Sequence, residues 1–121
     1  MSKTLTTQER IARAMSEKEL VQNILDLARA LDYLAYHSKD SRWSEPGFPD
    51  IILVGRGRVI AIECKAEEGK LRGPVQGHYR VFPGQQDWLD AFQKGGAEAY
   101  LFRPSSWLDG SIERVLKGVT M

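Results

Sequence analysis

Between residues 16 and 31, hydrophobic side chains recur every three or four positions, which is the spacing of one face of an α-helix. These hydrophobic positions are Leu20, Ile24, Leu27 and Leu31. Ser16 is a favourable N-cap, and Glu19 at the third helical position can complete a capping box. The orientation of Glu17 stays open, because its side chain either extends the hydrophobic stripe inward or interacts with the helix dipole at an exposed end.

Three short apolar segments follow this helix and have the composition of β-strands. They span residues 33–37, 51–54 and 59–65. Gly55, Arg56 and Gly57 separate the last two segments, so we expect these strands to pair as a hairpin. The polar stretch 38–48 is predicted to be a loop.

The second half of the chain begins with residues 66–84, which contain four glycines and two prolines. A loop of this length is either a substrate-contacting flap or a mobile insertion. A helix over 85–94, a strand over 97–102 and a short terminal helix over 112–116 follow. The predicted fold class is α/β, with the order α, β, β, β, α, β. Residues 1–15 are predicted to be an N-terminal extension to one domain over 16–121.

The composition narrows the classes of protein to consider. Seventeen Lys and Arg residues against 16 Asp and Glu give a formal net charge of +1, which argues against a generic basic coat for nucleic acid. A lone Cys64 makes no internal disulfide and fits a reducing compartment. No apolar run approaches the roughly 20 residues that span a bilayer, so we expect a soluble, cytoplasmic protein without a membrane partner. The glycines around residues 55–58 lack the spacing of a phosphate-binding loop, so no nucleotide cofactor is expected.

The charge is unevenly distributed along the chain. Residues 56–80 contain six basic groups and three acidic ones. The basic groups are Arg56, Arg58, Lys65, Lys70, Arg72 and Arg80. Such a run is either a solvated face or a surface for an anionic partner.

One group of polar residues suggests chemistry. Glu63 and Lys65 share a face of their predicted strand, because alternate residues of a strand point the same way. Asp50 follows Pro49 at the start of the preceding strand, and hairpin pairing can bring it beside Glu63. Two adjacent carboxylates repel each other unless a cation shares the site, and oxygen ligands are typical of Mg²⁺. Together with a lysine they suit phosphodiester hydrolysis, whereas the alternative is an ordinary exposed ion pair.

Two motifs at these positions resemble a nuclease signature. Gly47-Phe48-Pro49-Asp50, followed by Ile60-Ala61-Ile62-Glu63-Cys64-Lys65, is similar to the motif of the PD-(D/E)xK superfamily. The wider pattern resembles the VRR-NUC branch of that superfamily over residues 16–116. This wider pattern comprises Glu17, His37, Asp40-Ser41-Arg42, Gln85-x-x-Trp88-Leu89 and Phe102-Arg103-Pro104.

The resemblance implies a restriction-endonuclease-like fold, in which helices flank a mixed sheet. It also implies a stand-alone, bacteriophage-type enzyme similar to Holliday-junction resolvases. Such an enzyme is a homodimer that cuts branched DNA with Mg²⁺ or Mn²⁺. Two alternatives stay open, namely a catalytically silent DNA-binding module of the same fold and a nicking or restriction-like nuclease acting on other DNA.

The resemblance also implies a role for individual residues. Glu17, Asp50 and Glu63 match the metal-binding carboxylates, and the backbone carbonyl of Cys64 is an additional ligand. Lys65 matches the motif lysine, and Gln85 matches a glutamine that contacts the metal site or the phosphate. This chain departs from the family pattern by an interposed stretch, 69–84, which suggests a DNA-contacting flap.

The remaining candidates come from charge and aromatic residues. The predicted DNA-contacting residues are Arg42, Arg56, Arg58, Lys70, Arg72 and Arg80. His37 is either a proton-transfer group or a hydrogen-bonded structural residue. Trp43 and Trp107 lie in polar segments, and each is either a dimer contact or a platform for base stacking.

Overall fold

A computed structural model describes residues 4–38 and 45–118 of the chain. The predictions for Arg42 and Trp43, and the rest of the stretch 39–44, lie outside the described residues. The helices are α1 (Thr7–Ala14), α2 (Glu17–Ala30), α3 (Gln85–Lys94), α4 (Pro104–Leu108) and α5 (Ser111–Lys117). The strands are β1 (Leu34–His37), β2 (Ile51–Gly55), β3 (Arg58–Cys64), β4 (Val75–Gln76), β5 (Val81–Phe82) and β6 (Glu98–Phe102).

The predicted hairpin forms the centre of a four-stranded sheet with the order β1-β2-β3-β6. Arg56 and Gly57 both have positive φ angles, of 53° and 73°. A two-residue turn of this kind matches the twist of the strands that it joins. β1 is antiparallel to β2, whereas β6 is parallel to β3. The sheet is therefore mixed, as the predicted fold class requires.

Helix α2 begins where the sequence predicts. The side chain of Ser16 accepts a hydrogen bond from the backbone N–H of Glu19, and the carboxylate of Glu19 accepts one from the backbone N–H of Ser16. This confirms the capping box and fixes the first helical turn. Its hydrophobic stripe packs with α5 on one face of the sheet, where alternate residues of β2 and β3 complete the core.

Helix α3 covers only half of the opposite face, because it packs on β3 and β6. The β1–β2 half of this face has exposed hydrophobic side chains. Leu34 is 77% exposed and Tyr36 is 58% exposed, and both are large. The strand register places them on the same face as Val54 and Val59, which are also exposed. This apolar sheet face consists of Leu34, Tyr36, Val54 and Val59.

Three regions of the chain differ from the sequence-based expectation. The 1–15 extension contains α1, which packs on α4. Pro104 ends β6 but also begins α4, since the fixed φ of proline suits the first helical position. The predicted 66–84 loop contains the small β4–β5 hairpin.

Among the helices of the described residues, none is long and apolar enough to cross a membrane.

Candidate metal centre

The pairing of β2 with β3 brings two carboxylates together. Ile51 pairs with Ile62, so Asp50, one residue before β2, lies beside Glu63. The backbone N–H of Cys64 donates a hydrogen bond of 2.8 Å to Oδ2 of Asp50. This bond fixes the Asp50 side chain at the end of the hairpin, as the position of Asp50 after Pro49 suggested.

The first turn of α2 adds a third carboxylate. Glu17, Asp50 and Glu63 each contribute an oxygen atom, and these atoms lie within 4.8 Å of one another. Glu17 is exposed, yet its carboxylate points to this cluster. The question left open by the sequence is thereby answered, because Glu17 faces the other carboxylates instead of only complementing the helix dipole.

Glu63 is the buried member of the cluster, with only 1% of its surface exposed. Its Oε2 accepts a hydrogen bond of 3.0 Å from Nε2 of Gln85 and lies 3.9 Å from Nζ of Lys65. Its Oε1 has no hydrogen-bond partner among the described residues. A buried polar atom without a hydrogen-bond partner is rare in proteins. It indicates a bound water or ion, a catalytic role or local strain.

The environment of Glu63 favours its protonated form when no cation is present. Burial is the main cause, and the negative charge of Asp50 adds to it, while Lys65 opposes the effect. The pKa of Glu63 is raised to about 9. A bound cation would reverse this preference, because it would compensate the buried charge and the repulsion between carboxylates.

The donor atoms fit a hard divalent ion. Three carboxylates that converge on one position are the ligands that Mg²⁺ and Mn²⁺ prefer. The thiol of Cys64 does not contribute, because its side chain belongs to the core on the other face of β3. Burial also raises the pKa of this thiol, which disfavours the thiolate that a metal would need. The predicted role of the Cys64 carbonyl as a ligand stays a prediction.

Gln85 connects the 66–84 segment to the buried carboxylate. Its backbone N–H donates to the carbonyl of Arg72 (2.9 Å), and its Oε1 accepts from the backbone N–H of Arg72 (2.7 Å). Its Nε2 donates to Glu63. Gly84 packs against the same segment, where a Cβ atom would come within 2.8 Å of the Gly73 backbone. The amide of Gln85 therefore holds one oxygen of Glu63 and leaves the other open.

Lys65 is fixed by the strand that runs parallel to β3. Its backbone N–H donates to the carbonyl of Phe102 at 3.1 Å. Arg103, one residue further, donates to the carbonyls of Ala66 (2.8 Å) and Gly69 (2.7 Å). Sequence reasoning assigned no role to Arg103. One feature could have indicated this role: Arg103 directly follows β6, as Lys65 directly follows β3. Because the two strands are parallel neighbours, the residues that follow them lie at the same edge of the sheet.

A cleft of about 670 Å³ opens beside the carboxylates. Glu17 and Asp50 line it, together with His37 at the end of β1 and the neighbouring Ser38. The other lining residues are Lys18, Val21 and Gln22 of α2. Sequence reasoning missed Lys18 and Gln22, although Lys18 directly follows Glu17 and Gln22 is one helical turn after Lys18.

Two predicted DNA-contacting residues lie away from this site. Arg58 forms an ion pair with Glu98 through two hydrogen bonds of 2.6 and 2.7 Å, and it donates to the hydroxyl of Tyr33. Arg56 donates to the carbonyl of Lys117. Both are at the turn of the β2–β3 hairpin, at the opposite end of β3 from Glu63. Arg58 therefore joins β3 to β6 and α5, whereas Arg56 contacts only the end of α5 and the end of α2. Their role as DNA contacts stays a prediction.

The remaining basic candidates share one segment that is joined to the site. Lys70 and Arg72 are exposed, and their side chains form no ion pair in the described part of the chain. Arg80 pairs with Glu45 at 2.8 Å and lies over the ring of Phe82. Trp107 is partly buried against the hydrophobic core, which gives it a structural role.

Comparison with known proteins gives no match: no family model, no curated protein and no solved structure matches this chain. What supports a function is therefore the site itself, namely three converging carboxylates, one of them buried, and an adjacent lysine.

Proposed function

We propose that this chain is an endodeoxyribonuclease that depends on Mg²⁺ or Mn²⁺ and hydrolyses phosphodiester bonds. The observation that carries the proposal is the cluster of Glu17, Asp50 and Glu63, whose buried member has an oxygen without a hydrogen-bond partner. Lys65 stands 3.9 Å from that carboxylate. Metal-binding carboxylates with an adjacent lysine meet the requirements of phosphodiester hydrolysis, which needs compensation of negative charge and an activated water.

The topology supports a restriction-endonuclease-like fold of the VRR-NUC type. A helix, an antiparallel three-stranded unit, a second helix and a parallel fourth strand follow one another in the predicted order. The carboxylates lie where the first turn of α2 meets the open end of the hairpin. Both the order of elements and the place of the site agree with what the sequence motifs imply.

Each side chain has a different role at such a site. Glu17, Asp50 and Glu63 would hold the ion, and a bound ion would supply Lewis-acid polarisation of the phosphate and a lower pKa for water. Gln85 keeps the Glu63 carboxyl in one orientation. The ammonium group of Lys65 is positioned to donate a hydrogen bond to a phosphate oxygen or to the attacking water, and so to stabilise charge that develops in the transition state.

The proposed substrate is DNA, and branched DNA such as a Holliday junction is the form that the sequence motifs imply. Between Glu68 and Asp87 the chain has no acidic residue, whereas Lys70, Arg72 and Arg80 are basic. Lys18 adds a positive charge at the cleft. These groups suit a polyanion, although the whole chain is almost neutral.

The proposed enzyme is a homodimer, and its apolar sheet face is the surface on which we place the second copy. The face carries no charge at its exposed positions, so it suits another apolar surface better than a phosphate backbone. Sedimentation equilibrium should show a species of twice 13.7 kDa. A strictly monomeric chain, with and without DNA, would contradict this part of the proposal.

Cleavage assays test the proposed activity. The purified chain is incubated with a four-way junction, a flap and a linear duplex, each with Mg²⁺, Mn²⁺ or chelator. We expect metal-dependent cutting, and Lys65→Ala should reduce its rate by at least about 10²-fold. Lys117→Ala, which removes an exposed lysine remote from the site, is the matched control. Junction binding without cutting under any metal would favour the catalytically silent alternative.

A further inference from the structure

The tip of the β4–β5 hairpin presents an aromatic side chain to solvent. Tyr79 is 93% exposed, the highest exposure of any large hydrophobic residue in the described part of the chain. The ring of His78 packs edge to face against the ring of Tyr79, and the two ring centroids are 4.6 Å apart. The backbone N–H of Gly77 donates to the carbonyl of Arg80 at 2.8 Å and closes the turn. The exposed ring is thus carried on a closed turn and supported by a neighbouring ring.

The hairpin is braced on two sides next to the metal centre. At its root, the backbone N–H and carbonyl of Arg72 each form a hydrogen bond with Gln85, and the side chain of Gln85 donates to Glu63. On its flank, Arg80 pairs with Glu45 through bonds of 2.8 and 3.0 Å. Tyr79 is seven positions after Arg72, so the tip lies within about 25 Å of the root. A group bound at the tip is therefore held at a limited distance from the carboxylates.

The charge of the segment indicates the chemistry of its partner. It contains basic residues and no acidic residue between Glu68 and Asp87. An exposed aromatic ring on a segment that has basic residues and no acidic one is a combination that suits single-stranded nucleic acid, in which the ring stacks on a base and basic groups follow the backbone. A continuous duplex offers no free base face, because its bases are already stacked on one another.

We infer that Tyr79 stacks on an unpaired base of the substrate, so that the preferred DNA has a single-stranded gap or an open branch point near the bond that is cut. The inference rests on the proposed function for the position of the cut, while the stacking contact itself needs no catalysis. It names the feature of branched DNA that this chain recognises.

Binding measurements test the stacking contact separately from catalysis. The full-length chain carrying Lys65→Ala is titrated in Mg²⁺ against a gapped duplex and a continuous duplex of equal length. The gap contains 2-aminopurine, whose fluorescence falls when an aromatic ring stacks on it. Tyr79→Ala should weaken binding of the gapped DNA about 10-fold and abolish the fluorescence change. Its effect on the continuous duplex should be less than about twofold.

Two further variants separate stacking from other causes. Tyr79→Phe keeps the ring and should bind like the parent, whereas Val75→Ala shortens another exposed side chain of the hairpin and should change nothing. Equal losses on both DNAs, or no loss with Tyr79→Ala, would overturn the inference. The nuclease proposal fails separately, if the unmodified chain shows no metal-dependent cutting in the cleavage assay. A Tyr79-dependent fluorescence change would still support the stacking contact in that case.

Discussion

The two ends of the β2–β3 hairpin both carry clusters of charged residues, but the clusters differ in kind. At the turn end, Arg58 and Glu98 are paired and hydrogen-bonded, and the guanidinium of Arg58 lowers the pKa of Glu98. At the open end, Asp50 lies beside Glu63, and burial raises the pKa of Glu63 to about 9. Arg58 and Glu63 are five positions apart on one strand, which is about 16 Å.

This difference distinguishes a structural cluster from a functional one. Opposite charges that satisfy one another stabilise the fold, as Arg58 does by joining β3 to β6 and α5. Like charges that share a partly buried site destabilise the fold, unless a ligand compensates them. The open oxygen of Glu63 marks the position that such a ligand would occupy.

Glu63→Gln should abolish function while it leaves the fold intact. Glutamine has nearly the same shape but carries no charge, so the site loses its buried metal ligand. We expect cleavage to fall by about 10²- to 10³-fold. Mn²⁺ binding measured by calorimetry should weaken in parallel. Glu113→Gln, which changes an exposed carboxylate on α5, is the control and should leave both readouts unaltered. Full Mn²⁺ affinity in Glu63→Gln would remove Glu63 from the ligand set.

The pH dependence of stability should differ between the two ends. Between a pKa of 4.5 for the ordinary glutamate and about 9 for Glu63, the folded chain keeps a proton that the unfolded chain has released. Raising the pH therefore favours unfolding of the metal-free protein, by at most about 1.4 kcal/mol per pH unit from this group. Glu98 has a lowered pKa, so its contribution is complete above the ordinary glutamate pKa and is lost only in acid.

Chemical denaturation in chelator at about pH 6 and about pH 8 measures this slope. Stability of the unmodified chain should fall with pH, and Glu63→Gln should show a smaller fall. Added Mg²⁺ should restore stability most at the higher pH, because the ion competes with the proton. Identical slopes in the two proteins would show that Glu63 is ionised in the metal-free fold.

Arg58→Ala should destabilise the protein without reducing metal binding. It leaves Glu98 without its cation and removes hydrogen bonds to Tyr33 and to the α5 backbone, which we expect to cost about 2 kcal/mol. Arg56→Ala is the matched control at the same turn, and its loss should be under about 0.5 kcal/mol since Arg56 is exposed. Loss of Mn²⁺ affinity in Arg58→Ala, measured in the folded protein, would mean that the two ends are coupled.

The sequence predicts the local features of the fold well and the long-range ones poorly. The α2 capping box, the β2–β3 hairpin and α3 all depend on neighbours within a few positions, and the structure confirms them. The structural role of Arg58 depends on Glu98, forty residues away, and no local pattern indicates that pairing. Helix α1 was missed because its few apolar residues are meaningful only against α4.

The candidate site shows the same limit. Asp50 and Glu63 could be placed together because a hairpin fixes which residues face each other. Glu17 could be placed only through the resemblance to a family, because its distance from the hairpin depends on how α2 packs. The link from Gln85 to Arg72 and the anchoring of Lys65 by the carbonyl of Phe102 involve backbone groups. Every residue has these groups, so the amino-acid sequence does not reveal such contacts.

The parallel pairing of β3 with β6 has a consequence for the order of folding. The β2–β3 hairpin joins neighbours in sequence and closes a short loop. Ile60 and Glu98 are 38 positions apart, so their pairing closes a much longer loop. Contacts between distant residues form late and slow the folding of a domain. The carboxylates of the hairpin therefore meet early, while Lys65 gains its backbone anchor with the last strand of the sheet. We therefore expect the lysine to be the final part of the centre to be fixed in place during folding.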